Sequence, residues 1–208
     1  MRLDAPREAL VALSAALATR DGETVRAAAE RAAAEADPDA AEEVILQAHL
    51  FVGFPDALGA LALWREASGR PAPEPLGEGC EGWTARGERV CAEVYGANYP
   101  RLRANVAAVH PEMDRWMVEG GYGRVLGRPG LDLATRELCV AALLAVWNTP
   151  RQLHSHLRGA LNAGAGADEV DAAVEVACRL LDAGAAERVR ELWSEVRARV
   201  VREPPRPA

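Results

Sequence analysis

The segment from Asp132 to Gly164 constrains the fold more than any other part of the chain. Its first portion, from Asp132 to Trp147, contains the run LCVAALLAVW, which is apolar on every side of a helix. A helix of this kind is stable in water only when other helices surround it. Pro150 and Gly164 then bound a second helix, because proline favours the first turn of a helix and glycine ends one. The segment therefore predicts a helical hairpin at the centre of a larger bundle.

The composition favours an all-α protein. Alanine, leucine, arginine and glutamate dominate, and aromatic residues make up only 5% of the 208 residues, a balance that favours helices over sheets. Apolar periodicity and the positions of proline and glycine predict four helices before Gly69 and a further series from Trp83 onward. The glycine-rich stretch 120–130 predicts a turn ahead of the central hairpin.

Charge and residue types exclude several classes of function. The net charge of −7 argues against nucleic acid or an anionic membrane as a partner, since both need a clustered basic surface. The chain has no lysine, which excludes lysine Schiff bases and Walker-type phosphate loops. The four cysteines have neither metal-ligand nor disulfide spacing, so no metal and no cofactor are expected. With a charged N-terminus and no apolar run of about 20 residues, we expect a cytoplasmic protein.

The two halves of the chain are similar to each other. A shift of 129 positions aligns residues 7–66 with 136–195 without a gap, and the matched pairs include Arg7 with Arg136, Glu8 with Glu137 and Trp64 with Trp193. This predicts a duplicated four-helix unit. The expected organisation is an N-terminal repeat at 1–68, a Pro/Gly-rich linker at 69–82, a C-terminal repeat with its preceding helices at 83–203 and a disordered tail at 204–208. The position that matches His156 is Ala27, so any site that uses this histidine occurs once per chain.

The central hairpin carries the best candidates for chemistry. Glu137 shares a helical stripe with Leu133, Val140 and Leu144, so its carboxylate lies in an apolar seam and needs a partner. His154 and His156 lie on the second helix, about 200° apart around its axis, so they cannot bind one metal between them. A glutamate or a histidine in such a position can equally be structural.

These residues resemble the carboxymuconolactone decarboxylase family. The resemblance rests on the segment YGRVLGRPGLDLATRE, which leads into the hairpin, and on HSHLRGALNAG in its second helix. Residues 7–66 look like a second copy of the same unit. The resemblance implies an alkylhydroperoxidase D-like bundle, all-helical and internally duplicated, that assembles into oligomers.

The resemblance implies two kinds of chemistry. Decarboxylase members act on a lactone that bears carboxylates, and their active-site histidine matches His154 or His156. Peroxidase members of the alkylhydroperoxidase D type use Glu, Cys-x-x-Cys and His, which match Glu137, Thr149, Gln152 and His156. Both cysteine positions lack sulfur here and are expected to form a helix capping box instead. Because a thiol peroxidase needs a reactive thiolate, redox chemistry is not expected.

We therefore expect acid–base chemistry, either decarboxylation or lactone handling, on a small carboxylate-bearing substrate. His156, or else His154, would be the general acid and base, and Glu137 would orient it. The substrate carboxylate would be bound by one of three arginines: Arg128, Arg136 or Arg158. The alternative is a non-catalytic helical oligomer in which the same glutamate and histidine form a vestigial, structural pair. In either case we expect a homo-oligomer, a trimer or a dimer.

Overall fold

The computed structural model describes residues 3–202, and these form helices with no β-strand among them. The all-α prediction is confirmed, while the tail predicted for 204–208 lies outside the described residues. The first half contains α1 (Ala5–Thr19), α2 (Gly22–Glu35) and α3 (Pro38–Ser68). The second half contains α4 (Trp83–Tyr95), α5 (Tyr99–Val109), α6 (Pro111–Trp116), a π-helical segment (Met117–Leu126), α7 (Leu133–Val146), α8 (Pro150–Asn162), α9 (Ala167–Cys178) and α10 (Ala183–Arg202).

Aspartate side chains begin several of these helices. Asp37 accepts hydrogen bonds from the amides of Asp39 and Ala40 at the start of α3, and Asp132 accepts one from the amide of Thr135 at the start of α7. Such caps satisfy amides that have no partner within the helix.

Helix α3 consists of two segments. Gly53 has a φ of 83°, a conformation that residues with a side chain rarely adopt, and it separates the two predicted helices of this region. By length and composition α3 is apolar enough to cross a membrane, so the expectation that no segment reaches this length was wrong. Core helices of soluble proteins meet the same criterion, and α3 packs against α1 and α2.

Helix α7 lies at the centre of the bundle, as its uniformly apolar surface predicted. Every residue from 135 to 145 is buried, and α7 packs against α1, α3, α8 and α9. The neighbours that surround it remove its apolar side chains from water, which stabilises the whole bundle. Its two charged interior side chains, Arg136 and Glu137, are therefore held inside the protein.

The stretch predicted as a glycine-rich turn is largely helical, and that prediction was wrong. Residues up to Leu126 continue in π-helical form, and the amide of Gly127 closes the last such turn by donating to the carbonyl of Tyr122 at 2.8 Å. A Cβ atom on Gly123 would lie 2.1 Å from the carbonyl oxygen of Trp83 in α4. Gly123 therefore allows the backbones of α4 and the π-helical segment to touch, and it does not form a turn.

The two halves keep the register on which the predicted duplication rests. Helices α1, α2 and α3 begin at residues 5, 22 and 38, and α7, α8 and α9 begin at 133, 150 and 167. Arg7 and Arg136, which match across the shift, each reach a carboxylate in the opposite half: Arg7 binds Glu169, and Arg136 binds Glu43. Duplication itself stays a prediction. Residues 69–82 between the halves contain no helix.

Candidate functional site

The structure brings Glu137 of α7 and His156 of α8 into direct contact. The carboxylate oxygen Oε2 of Glu137 lies 2.8 Å from Nδ1 of the His156 ring. Glu137 is fully buried, and the side chain of His156 is 8% exposed. Both residues come from the hairpin that the sequence singled out, and the contact joins its two helices. We refer to these two side chains as the Glu137–His156 pair.

A glycine makes this contact possible. Gly159 lies one turn after His156 on α8, and a Cβ atom there would stand 2.4 Å from Oε2 of Glu137. The same Cβ would stand 2.8 Å from Cγ1 of Val94, which belongs to α4. Three helices therefore meet at Gly159 with no space for a side chain. No local sequence pattern marks this glycine, because a glycine is required here only by packing between helices that are distant in the chain.

Two atoms of the Glu137–His156 pair take no part in the contact, Oε1 of Glu137 and Nε2 of His156, and their surroundings differ. Oε1 of Glu137 is buried without a hydrogen-bond partner among the described residues. Nε2 of His156 also makes no hydrogen bond with a described residue, and the His156 side chain as a whole is 8% exposed. An ionised carboxylate can only accept hydrogen bonds, so it holds the proton of a neutral ring on Nδ1. The lone pair of the neutral ring then lies on Nε2.

Aromatic rings surround the imidazole. The ring centroids of Phe51 and Tyr95 lie 6.3 Å and 6.4 Å from that of His156, both in edge-on arrangements, and Tyr122 contacts Tyr95 at 6.1 Å. Burial raises the pKa of Tyr95 to about 12 and that of Tyr122 well above its usual value. Both phenols therefore keep their protons at neutral pH. Tyr95 and Phe51 come from other helices, and the sequence gave no signal for them.

The positions that hold cysteines in related peroxidases hold no reactive group here. Thr149 precedes α8, but its hydroxyl donates to the carbonyl of Leu144 at 3.2 Å and makes no cap. Gln152 is exposed. The predicted capping box was therefore wrong, because the loop turns the Thr149 side chain back toward α7. Burial raises the pKa of Cys91 and of Cys139 to about 12, so neither thiol supplies a thiolate near pH 7.

Residues 111–195 match the model of the carboxymuconolactone decarboxylase family. The match includes the whole hairpin and both members of the Glu137–His156 pair. This segment belongs to the carboxymuconolactone decarboxylase family. No curated protein matches the chain. We refer to residues 111–195 as the carboxymuconolactone decarboxylase domain.

His154, the other candidate histidine of the carboxymuconolactone decarboxylase domain, lies apart from Glu137. Together with Arg158 it lines a cavity of about 370 Å³ between α4, α5 and α8. Burial lowers the pKa of His154, and the positive charges of Arg158 and Arg199 lower it further. Of the two histidines, the structure therefore pairs only His156 with the glutamate.

The three arginines predicted to bind a substrate occupy different places in the domain. Arg136 is fully buried, and its guanidinium binds Glu43, Gln47 and backbone carbonyls. These contacts occupy the group that was predicted to bind a substrate carboxylate. Arg128 binds both oxygens of Glu43 and lines two cavities away from the Glu137–His156 pair. Only Arg158 shares a cavity with a residue that contacts the pair, namely Tyr95.

No arrangement of three or more His, Cys, Asp or Glu side chains suited to a metal ion occurs in the part of the chain that the structure describes.

Proposed function

We propose that the Glu137–His156 pair performs acid–base chemistry on a small carboxylate-bearing substrate, as in a decarboxylase or an enzyme that handles a lactone. The observation that carries the proposal is the 2.8 Å contact between Oε2 of Glu137 and Nδ1 of His156, which leaves the other ring nitrogen without a hydrogen bond to a described residue. A carboxylate held against Nδ1 orients the ring and stabilises the imidazolium that forms when Nε2 accepts a proton.

The proton balance of a decarboxylation fits this arrangement. When the bond to the departing CO₂ breaks, its electron pair stays on the substrate as an enolate. Protonated Nε2 of His156 then delivers its proton to the carbon atom, and the neutral ring regains a proton from the next substrate or from water. The neutral phenol of Tyr95 is beside the ring and can donate a hydrogen bond to an enolate oxygen.

A second candidate function is a non-catalytic helical oligomer in which the pair joins α7 to α8. The observation that favours it is burial, since the side chain of Glu137 is fully buried and that of His156 is only 8% exposed. In this role the contact would contribute stability, and turnover would be absent.

The experiment that tests the proposal is a substrate screen followed by substitution. Carboxylated γ-lactones and β-keto acids would be assayed for CO₂ release or ring opening. His156→Ala should lower kcat by about 10²–10⁴-fold, the usual contribution of a general acid or base. His49→Ala, which removes a histidine that contacts Phe54 instead, is the control and should retain activity. Equal activity in His156→Ala and the parent protein would contradict the proposal. Circular dichroism of both variants would show that they are folded.

A further inference from the structure

A pocket of about 240 Å³ lies between α3 and the π-helical segment. Most of its walls are apolar, and they come from both sides of the kink at Gly53 and from the π-helical segment: Ile45, Leu46, Ala57, Leu58, Leu61 and Val125. Neither Glu137 nor His156 lines it. An apolar cavity of about 150 Å³ is enough to hold one benzene molecule. This pocket, which we call the α3 pocket, therefore has room for a single substituted aromatic ring.

Two polar side chains of the α3 pocket have hydrogen-bonding groups to spare. Nδ1 of His49 lies 2.5 Å from the carbonyl oxygen of Leu46, and because a carbonyl can only accept, Nδ1 carries the proton of the neutral ring. The lone pair then lies on Nε2, which makes no hydrogen bond with a described residue. The guanidinium of Arg124 stacks on the Trp83 ring at 5.4 Å, and it makes no hydrogen bond or ion pair with any residue whose side chain the structure describes. The α3 pocket thus offers one acceptor and one group of donors.

The charges of the α3 pocket favour a hydroxyl over a carboxylate. No acidic side chain among the described residues belongs to its lining, and its second arginine, Arg128, binds both oxygens of Glu43 at 2.9 and 3.1 Å. A carboxylate can only accept hydrogen bonds, so beside His49 its oxygens would face the lone pair of Nε2. A hydroxyl donates through its hydrogen and accepts through its oxygen, which suits His49 and Arg124 at once.

The matching surface of the second half is charged rather than apolar. The positions that match His49, Leu58 and Leu61 are Cys178, Glu187 and Arg190. Arg190 binds both oxygens of Glu175, at 2.7 and 2.8 Å. In the first half, Phe54 and Leu58 line the α3 pocket and are still 66% and 61% exposed. Exposed apolar surface of this kind marks a ligand groove or an interface.

We propose that the α3 pocket binds a small monocyclic phenol. The ring lies among the apolar side chains, the hydroxyl donates to Nε2 of His49, and its oxygen accepts from the guanidinium of Arg124. The two polar contacts fix the orientation of the ring, while burial of its apolar surface supplies most of the affinity. This site is separate from the Glu137–His156 pair, so its occupancy does not depend on the chemistry proposed for that pair.

Isothermal titration at pH 8, where an ordinary imidazole is neutral, tests the proposal with 4-methylphenol and toluene. These ligands share an apolar body, and only the first has a hydroxyl. We expect saturable binding of 4-methylphenol, at least about tenfold tighter than that of toluene, together with a shift of the His49 ring proton in NMR. His49→Phe keeps a ring but removes the acceptor, and Arg124→Met keeps the stem but removes the donors. They should weaken 4-methylphenol binding by at least about threefold and tenfold, and leave toluene binding unchanged.

Three controls locate the binding. His154→Phe changes a histidine of another cavity, and His156→Ala changes the acid–base pair, so both should bind 4-methylphenol as the parent does. Ala57→Leu fills the α3 pocket and should abolish binding of both ligands, with circular dichroism to show that it is folded.

Absence of saturable 4-methylphenol binding, or binding that His49→Phe and Arg124→Met leave intact, would overturn the proposal. Toluene binding as tight as that of 4-methylphenol would overturn the assignment of a hydroxyl. If light scattering shows an oligomer that excludes 4-methylphenol, the α3 pocket belongs to an interface with a second copy of the chain, and the proposal is wrong.

Discussion

Replacing Gly159 by alanine tests the packing that holds the Glu137–His156 pair. The added Cβ would lie 2.4 Å from Oε2 of Glu137 and 2.8 Å from Cγ1 of Val94, where carbon atoms in ordinary contact lie about 3.5–4.0 Å apart. Overpacking of this kind costs about 1–3 kcal/mol. Displacing the carboxylate from His156 costs about a further 1.5–3 kcal/mol. Against these, alanine is favoured over glycine inside a helix by about 1 kcal/mol.

The net expectation for Gly159→Ala is a loss of about 1.5–5 kcal/mol in the free energy of unfolding, measured by urea denaturation. Gly59→Ala is the matched control, because Gly59 is an exposed helical glycine with no atom within 4 Å of an added Cβ. The control should gain up to about 1 kcal/mol. If Gly159→Ala proves as stable as the parent or more so, the close approach of α4, α7 and α8 is not what the structure indicates.

Three further predictions follow from burial and charge. Ellman's reagent should modify one thiol of the native chain, Cys80, and all four after unfolding, because the other three are buried; organic hydroperoxides should not be reduced. The Arg65 guanidinium holds the pKa of the Glu42 carboxyl below 4.5, so this ion pair stabilises the fold above that pH and is lost as the pH falls toward the folded-state pKa. Glu42→Gln should therefore flatten the loss of stability measured between about pH 5 and 3. Phe54 and Leu58 are 66% and 61% exposed on α3, and light scattering should show a dimer or trimer that charged substitutions there dissociate.

Local patterns in the sequence predicted the parts of the fold that depend on local physics. The apolar surface of α7 indicated a buried helix, and the proline and glycine at the ends of α8 indicated a hairpin partner. The resemblance to the family nominated Glu137 with His156 and left His154 as the alternative, and the hairpin pattern placed all three on adjacent helices. The same periodicity could not distinguish a catalytic pair from a structural one.

The remaining parts depend on contacts between helices that are distant in sequence. Val94 and Tyr95 of α4 cover a pair that lies on α7 and α8, and Arg101 meets Arg158 from another helix. No local pattern records these approaches. The partner of Arg136 could not be predicted for the same reason, since Glu43 in the other half of the chain binds its guanidinium. The close packing of α4 on the π-helical segment is also such a contact, and it is why the stretch predicted as a glycine-rich turn is largely helical.

The unequal halves of the chain indicate what makes the site possible. Glu8, which matches Glu137, lies near the surface and binds Arg179 at 3.0 Å, and Ala27, which matches His156, is exposed. Helix α2 has its main contacts with α1 and α3, whereas its counterpart α8 is also covered by α4. The buried Glu137–His156 pair therefore lies where α4 covers α8, and the matching positions of α1 and α2 have no such cover among the described residues.

This explanation can be tested by introducing the missing histidine into the first half. Without a covering helix, the new side chain in Ala27→His should be solvated, and any contact with the Glu8 carboxylate should be weak, as at other exposed ion pairs. Its pKa, measured by NMR titration, should lie within about one unit of the ordinary value of about 6.5. A pKa displaced by more than about two units would show that α1 and α2 suffice to create the environment, and that α4 is not the decisive element.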